Sequence, residues 1–301
     1  MTVVASAPGK IVLSGEYAVL DGAPAISMAI DRRAVVTLAD SPDGQCGLTT
    51  PGFSGEGRYR IVDAVCGGSR PAKHIELDTR AFADDGNKTG IGSSAALTVA
   101  LIAGLNKSED VLNEALLAHR ALQGGAGSGV DVATAVQGGL IEFEMRSQQC
   151  TPLAWPSGLF MRVIWTGVPI STAAKLEKLA AQTARPSRSA LSLAAPRMAE
   201  AWRTGNVDQI MTEYIPYIGV LRQFSVDHDL GIFDAGHDQL TDAAIPGGLV
   251  YKPAGAGGGD IGILFGRNEA ELDAFVASHT DLIHGVLQCA LDLDGVRVQQ
   301  R

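Results

Sequence analysis

Apolar residues fall in short blocks over the first forty positions. Ile11-Val12-Leu13, Ala25 to Ile30 and Ala34 to Leu38 are β-rich runs bounded by Gly, Pro and Asp, which predicts three strands. Asp21-Gly22 predicts a turn. His74 to Asp78 reads as a further short strand, and Asp84-Asp85-Gly86-Asn87 carries loop chemistry. Ser93 to Leu105 is rich in Ala and Leu and predicts a helix. A second helix is predicted over 108–122, with Ser108 as N-cap and Glu109 and Asp110 in the first turn. Asp131 to Val136 predicts a short helix after a glycine loop, and Leu140 to Met145 a strand. A boundary is predicted near Pro152 to Gly158. Beyond it lie a strand at Phe160 to Trp165, alanine-rich helices across 171–243, strands at Leu249 to Tyr251 and Ile261 to Phe265, and a helix at Glu269 to Ser278. One or two closing strands are predicted in 286–298, around Asp294-Gly295. The pattern is mixed α+β in two halves, divided as 1–155 and 156–301.

Composition narrows the function classes. A chain of 301 residues, 46% hydrophobic and 19% charged, predicts a packed core in one large domain or two ordinary ones. The net charge of −9 and the absence of a basic block argue against a general nucleic-acid or anionic-membrane surface. Scarce aromatics argue against a stacking platform for single strands. No apolar run approaches the roughly 20 residues that span a bilayer, and Met1 to Lys10 lacks a signal-peptide pattern, so a cytoplasmic protein is expected. Cys46, Cys66, Cys150 and Cys289 form no C-x-x-C pair and predict free thiols rather than a zinc site or disulfide scaffold.

Three glycine-rich stretches carry the candidate chemistry. The first is Ala7-Pro8-Gly9-Lys10 followed by Ser14-Gly15-Glu16-Tyr17, the second runs from Lys88 to Ala96, and the third from Lys252 to Asp260. Glycine costs backbone entropy, so its clusters mark sharp turns or close approaches. The second stretch, Gly90-Ile91-Gly92-Ser93-Ser94-Ala95, opens directly onto a helix whose N–H groups and positive dipole end suit phosphate. Ser93 and Ser94 add hydroxyls for phosphate or for magnesium, which prefers oxygen ligands. In an acidic protein, cations beside such loops matter, and Lys10 and Lys88 stand there. No Walker A string is present. Formal G-x-G-x-x-[GA] matches at Gly90-Gly92-Ala95 and Gly257-Gly259-Gly262 lack the strand before or the helix after that a dinucleotide site needs.

Together, in this order and spacing, the three stretches resemble the GHMP kinase superfamily. Within it the chain is most similar to phosphomevalonate kinases, through Gly15-Glu16-Tyr17-Ala18-Val19-Leu20, Lys88-Thr89-Gly90-Ile91-Gly92-Ser93-Ser94, Ala118-His119, Gln123-Gly124, Gly127 to Ala133, Trp165 to Thr172 and Gly257-Gly258-Gly259-Asp260. Mevalonate kinases usually carry His where Tyr17 stands and Gly where Asp260 stands. Three departures are visible. Ala254 replaces the usual Ser, the chain is short for the family, and Arg120 stands where mevalonate kinases place a magnesium-binding Glu.

The resemblance implies a two-domain α+β fold, N-terminal ribosomal protein S5 domain 2-like and C-terminal ferredoxin-like. It implies an enzyme that phosphorylates 5-phosphomevalonate from ATP with magnesium, as a monomer or homodimer. Mevalonate kinase or another small-molecule kinase of the superfamily is the near alternative, and an inactive ligand-binding sensor the distant one. By resemblance Lys10 and Asp131 are catalytic, and Lys88, Gly90, Ile91, Gly92, Ser93, Ser94 and Ala95 bind ATP, with Ser94 also a magnesium ligand. Lys10, Glu16, Tyr17, Ser128, Gly255, Ala256, Gly257 and Asp260 are implied in substrate binding. An acceptor phosphate with a second pKa near 6 is largely ionised at neutral pH and needs cations more than a base. Simpler roles stand beside these: Asp131 as a helix N-cap, Glu16 and Tyr17 as turn and core residues, Ser128 as a loop-shaping residue, Asp260 as a turn cap, and His119 and Trp165 as packing residues.

Overall fold

The computed structural model describes residues 2–51, 56–84, 86–106, 109–125, 127–183 and 185–300. Packing divides the chain into two interleaved compact units. The first holds residues 1–11, 28–141 and 290–301, and the second holds 12–27 and 142–289. This differs from a cut by chain order at 155/156. The C-terminal strand Arg297–Gln300 pairs antiparallel with the N-terminal strand Thr2–Ser14, which carries the chain end back into the first unit.

In the first unit, strands follow the order Arg297–Gln300, Thr2–Ser14, Ala25–Asp40, Lys73–Asp78 and Gly47–Thr49. The run from 25 to 40 is one strand rather than the two expected. Its polar interruption at Asp31-Arg32-Arg33 is tolerated because the polar groups find partners. Asp31 Oδ1 accepts from Ala290 N (2.8 Å), and the Arg33 guanidinium reaches Ser6 O (3.0 Å), Asp292 Oδ2 (2.5 Å) and Gly295 O (2.6 Å). The helix Ser93–Leu105 begins and ends where the sequence predicts, is buried almost throughout, and approaches the sheet so closely that a Cβ on Gly104 would stand 3.1 Å from Ala5 Cβ. Around it pack the helices Glu56–Cys66, Val111–Leu122 and Val130–Gln137. Ser108, the expected N-cap, and Asp85 of the expected loop lie outside the described residues. Asp110 caps the helix Val111–Leu122, its Oδ1 accepting from Asn113 N at 3.0 Å. The helix Glu56–Cys66 and the strand Gly47–Thr49 are elements that the apolar pattern did not indicate.

The second unit is built on four antiparallel strands in the order Val250–Pro253, Ile261–Gly266, Phe160–Trp165 and Gly285–Leu287. Taken along the chain the elements run strand, helices, strand, strand, helix Glu269–Ser278, strand. That order is the ferredoxin-like split β-α-β arrangement, with four helices where it has one after the first strand. Those helices are Thr172–Ala180, Pro186–Thr204, Val207–Asp227 and His237–Ala244. Ile164, Leu240, Leu249, Tyr251, Leu264, Leu272 and Phe275 form a buried apolar cluster in this unit. The four cysteines are free. Among the described residues no helix is long and apolar enough to cross a membrane.

Two adjacent glycines offer a clean test of packing in the first unit. Gly138 and Gly139 both have positive φ, 73° and 66°. A Cβ on Gly138 would collide with the backbone of Asp294 and Gly295, whereas one on Gly139 would meet open space. Gly139→Ala is expected to cost about 1 kcal/mol of left-handed strain. Gly138→Ala is expected to cost a further ~1–3 kcal/mol for overpacking, on top of the strain of its φ 73°, ψ −179° backbone, a region essentially confined to glycine. Urea unfolding of both variants checks this, and equal losses would refute the packing account.

Candidate active site

The expected site residues fall into two groups, one within each unit. In the first unit, Gly9 lies in the N-terminal strand, so tightly bounded that a Cβ there would be 2.8 Å from Ile91 O and 2.9 Å from the Phe82 ring. The neighbouring Lys10 N–H donates to Ile91 O at 2.9 Å. This contact fixes the Lys10 backbone against the glycine loop. Gly92 has φ 91° and ψ 28°, a left-handed N-cap that makes no side-chain cap bond. A Cβ at Gly92 would stand 3.1 Å from Lys10 Cγ, so the lysine stem lies across the loop at the helix start. The first N–H groups of a helix have no intrahelical acceptor, and here no side chain caps them. Lys10 makes no ion pair among the described residues. An uncapped helix start beside a lysine with no carboxylate partner is a local arrangement suited to a polyanion.

Within the same loop, Ile91, Ser93 and Ala95 are buried, while Gly90, Gly92 and Ser94 are partly accessible. Ser94 O accepts from Thr98 Oγ1 at 2.9 Å. Lys88 is exposed, in the short strand Asn87–Lys88 that pairs with Ala83–Asp84. Asp131 sits in the first turn of the helix Val130–Gln137, but Gly129, with φ 84° and ψ 1°, holds the N-cap position instead. Asp131 Oδ1 accepts from Val132 N (2.9 Å), and its Oδ2 lies 3.7 Å from Nδ1 of the buried His119. Asp131 therefore faces His119 and forms no ion pair with Lys10. Ser128 Oγ accepts from Val130 N at 3.4 Å, which shapes the turn before the helix.

In the second unit, the remaining residues of the first and third glycine stretches come together. Glu16 is buried and its carboxylate is engaged twice, by the ammonium of Lys252 through Oε1 and by Tyr217 Oη, which donates to Oε2 at 2.7 Å. The Tyr217 hydroxyl also accepts from Gly15 N at 2.7 Å. Tyr17 has φ 60° and ψ −42°, an outlier for a bulky side chain. Its hydroxyl donates to Ala256 O at 2.7 Å, and its ring packs 5.4 Å from that of Phe224.

The third glycine loop is held from several sides. Gly255 and Gly257 have φ of 64° and 66°, and a Cβ on Gly257 would be 2.5 Å from Ile232 Cγ2. Lys175 Nζ donates to Gly257 O (2.8 Å) and Gly231 O (3.3 Å). Burial pushes the pKa of the Lys175 ammonium down, against the pull of Asp234 and Asp260. Asp260 N donates to Val168 O (2.7 Å), its O accepts from Thr166 N (3.0 Å), and its Oδ1 accepts from Ile170 N at 3.3 Å. The 165–172 segment and the third glycine stretch, singled out separately in the sequence, are thus neighbours. Trp165 is a buried core residue. His237 Nε2 lies 3.1 Å from Gly259 O, which can only accept, so Nε2 carries the proton and Nδ1 accepts from Tyr251 Oη at 2.8 Å.

Lys252, Tyr217, Lys175 and His237 are site residues that sequence reasoning passed over. Lys252 was visible as the lysine that opens the third glycine stretch. The others sit in helices, where nothing in the local sequence marks them. Groups of three or more His, Cys, Asp or Glu side chains able to hold a metal do not occur among the described residues. A divalent ion here would rest on hydroxyl and phosphate oxygens, for which the accessible Ser94 is the suitable side chain.

Residues 60–139 match the family model of the GHMP kinases N terminal domain. The chain is 29% identical to a phosphomevalonate kinase from Streptomyces sp. (strain CL190), over 90% of this chain and 92% of that one. It is 38% identical to a mevalonate kinase from Methanothermobacter thermautotrophicus, over 46% of this chain and 48% of that one. The solved structure of Streptococcus pneumoniae phosphomevalonate kinase in complex with phosphomevalonate and AMPPNP superposes with a TM-score of 0.79 at 20% identity, over 96% of this chain and 99% of that one. At that identity the superposition establishes the fold. Residues 60–139 thus match the N-terminal domain of these kinases, and the chain as a whole has their α+β fold.

The buried His237 gives a pH prediction. Burial pushes its pKa down to about 4, so the folded protein keeps the ring neutral. The unfolded chain takes up that proton near pH 6.5, so stability is expected to fall as pH drops from about 6.5 toward 4. The share due to His237 approaches about 1.4 kcal/mol per pH unit. Urea unfolding of wild type and His237→Gln across this range checks the sign. The variant, less stable at neutral pH, should lose less on acidification.

Proposed function

We propose that this protein transfers the γ-phosphoryl group of ATP to the phosphate of 5-phosphomevalonate, giving 5-diphosphomevalonate. The carrying observation is the placement of Lys10, laid across the glycine loop at the uncapped start of the helix Ser93–Leu105. Phosphoryl transfer depends mainly on positioning and on neutralising charge spread over oxygens. The loop N–H groups of Gly92 to Ala95 bind the nucleotide phosphates, and Lys10 neutralises the transferring group and the acceptor. Lys88 supplies a second cation toward the phosphates. Ser94 would hold magnesium together with the nucleotide, and the ion would supply charge neutralisation to the phosphates. In the second unit Tyr17, Gly255, Ala256, Gly257 and Asp260 are candidates for acceptor contacts, and in the first unit Ser128 is. The similarity to the Streptomyces phosphomevalonate kinase over 90% of this chain supports this acceptor.

One observation favours a second reading. Asp131 lies beside a buried histidine rather than in an ion pair with Lys10, an arrangement that also serves a base acting on a hydroxyl. Mevalonate is the hydroxyl acceptor that reading implies.

A coupled ADP-release assay over 5-phosphomevalonate, mevalonate, homoserine and galactose separates the two. Turnover with 5-phosphomevalonate alone is expected, and turnover confined to unphosphorylated alcohols would sink the leading reading. Lys10→Ala should lower kcat by roughly two to three orders of magnitude while ATP affinity changes much less. Equal loss of both would make Lys10 a nucleotide anchor. Asp131→Asn should reduce turnover of 5-phosphomevalonate by about tenfold or less, because an ionised phosphate needs no base. Near-total inactivation of a folded variant would favour the hydroxyl acceptor.

A further inference from the structure

Glu16 and Lys252 are among the most deeply buried charged side chains of the second unit, and no exposed surface of either is left for a ligand. Glu16 spends one oxygen on Lys252 and the other on Tyr217. Tyr217 closes a ring by accepting from Gly15 N. The next residue, Tyr17, is held at φ 60°, and its hydroxyl bonds Ala256 O in the third glycine loop. Lys252 stands on the strand that leads into that loop, and its strand neighbour Tyr251 bonds His237, which in turn donates to Gly259 O. Both ends of the loop are therefore braced from the one strand. A buried ion pair gives little stability that a well-packed apolar pair would not give as well, because desolvation offsets the attraction. A strained bulky residue persists only where its surroundings over-determine it.

We propose that Glu16, Lys252 and Tyr217 form a positioning clamp that fixes Tyr17 and the 254–260 loop in the geometry the phosphoryl acceptor requires, with neither Glu16 nor Lys252 touching substrate. The proposal rests on the reading of this chain as a small-molecule kinase, and it replaces direct substrate contact by Glu16. The charged pair sets register rather than stability. Among the described residues its carboxylate accepts from two fixed donors, so residues 15–17 cannot shift along the strand 250–253 without stranding a charge away from water.

The test compares wild type with the Glu16→Gln/Lys252→Met double variant, with each single variant, and with Tyr217→Phe. Lys252→Met alone leaves a carboxylate buried without its cation and should lower Tm; the double variant should recover most of that loss. Two readouts then decide. In the double variant, amide hydrogen exchange at 15–17 and 254–260 is expected to quicken by about tenfold or more, while amides of the strand Phe160–Trp165 keep their rates. Acceptor KM, measured with 5-phosphomevalonate and with mevalonate, should rise about tenfold while ATP KM stays within about twofold. Tyr217→Phe keeps the ring and unpairs no charge, so it should show the faster exchange at 15–17 even if the double variant fails to fold. Wild-type exchange and wild-type acceptor KM in a folded variant overturn the clamp. Collapse of kcat in Glu16→Gln with exchange unchanged also overturns it, since that places Glu16 on the reacting atoms. Should the wild-type protein phosphorylate neither acceptor, the substrate reading fails, and the exchange comparison still decides the clamp.

Discussion

A lysine ammonium removed wholly from water has to be answered by a carboxylate, and in this protein the answer comes from far away in sequence. Lys252 meets Glu16, more than two hundred residues earlier, with Tyr217 as the third member. That demand brings the first glycine stretch and the strand before the third into one buried network. Burial lowers the pKa of the Lys252 ammonium, and the Glu16 carboxylate opposes the shift. The phenol of Tyr217 is pushed well above its ordinary range by burial first and by the Glu16 charge second. Tyr217 serves there as the hydrogen-bond donor to the Glu16 carboxylate.

The glycine loop of the first unit solves the opposite problem. Its backbone donors must stay unanswered by the protein if they are to meet a polyanion. Gly92 in the left-handed region turns the chain into the helix without offering a capping side chain. Gly9, with no Cβ, lets the N-terminal strand approach Ile91 closely enough for Lys10 N–H to bond it. The one loop is thus left open toward anions, while the other, at 254–260, is closed down by Lys175, His237 and the segment 166–170. Both are glycine loops, and the difference lies in which side chains surround them.

Much of the architecture is legible along the chain. The helix Ser93–Leu105, the strand Phe160–Trp165 and the helix Glu269–Ser278 have the ends that apolar pattern and punctuation predict. The polar step at Asp31-Arg32-Arg33 misleads, because a strand break is read there while Ala290, Asp292 and Gly295 supply the partners that keep the strand continuous. The helix Glu56–Cys66 was not read, since charged residues interrupt its apolar positions. For the site, the residue types at Lys10, Gly92, Ser94 and Asp131 are what the sequence offers toward the phosphate chemistry proposed. The bracing residues Tyr217, Lys175 and His237 have no local signature, because a lone Tyr, Lys or His on a helix looks the same whether it packs, solvates or braces.

By itself the sequence determined the α+β class, most of the order of elements, and the three glycine stretches that point to phosphate chemistry. These depend on neighbours within a few residues, through periodicity, φ preference and chain punctuation. Tertiary structure alone decided which side chains face which. It placed Asp131 beside His119, sealed Glu16 against Lys252, and drew the first and last strands into one sheet. Such choices depend on burial and on partners tens to hundreds of residues distant, and the energy of a charge or a hydrogen bond is set by that surrounding, which no local pattern encodes.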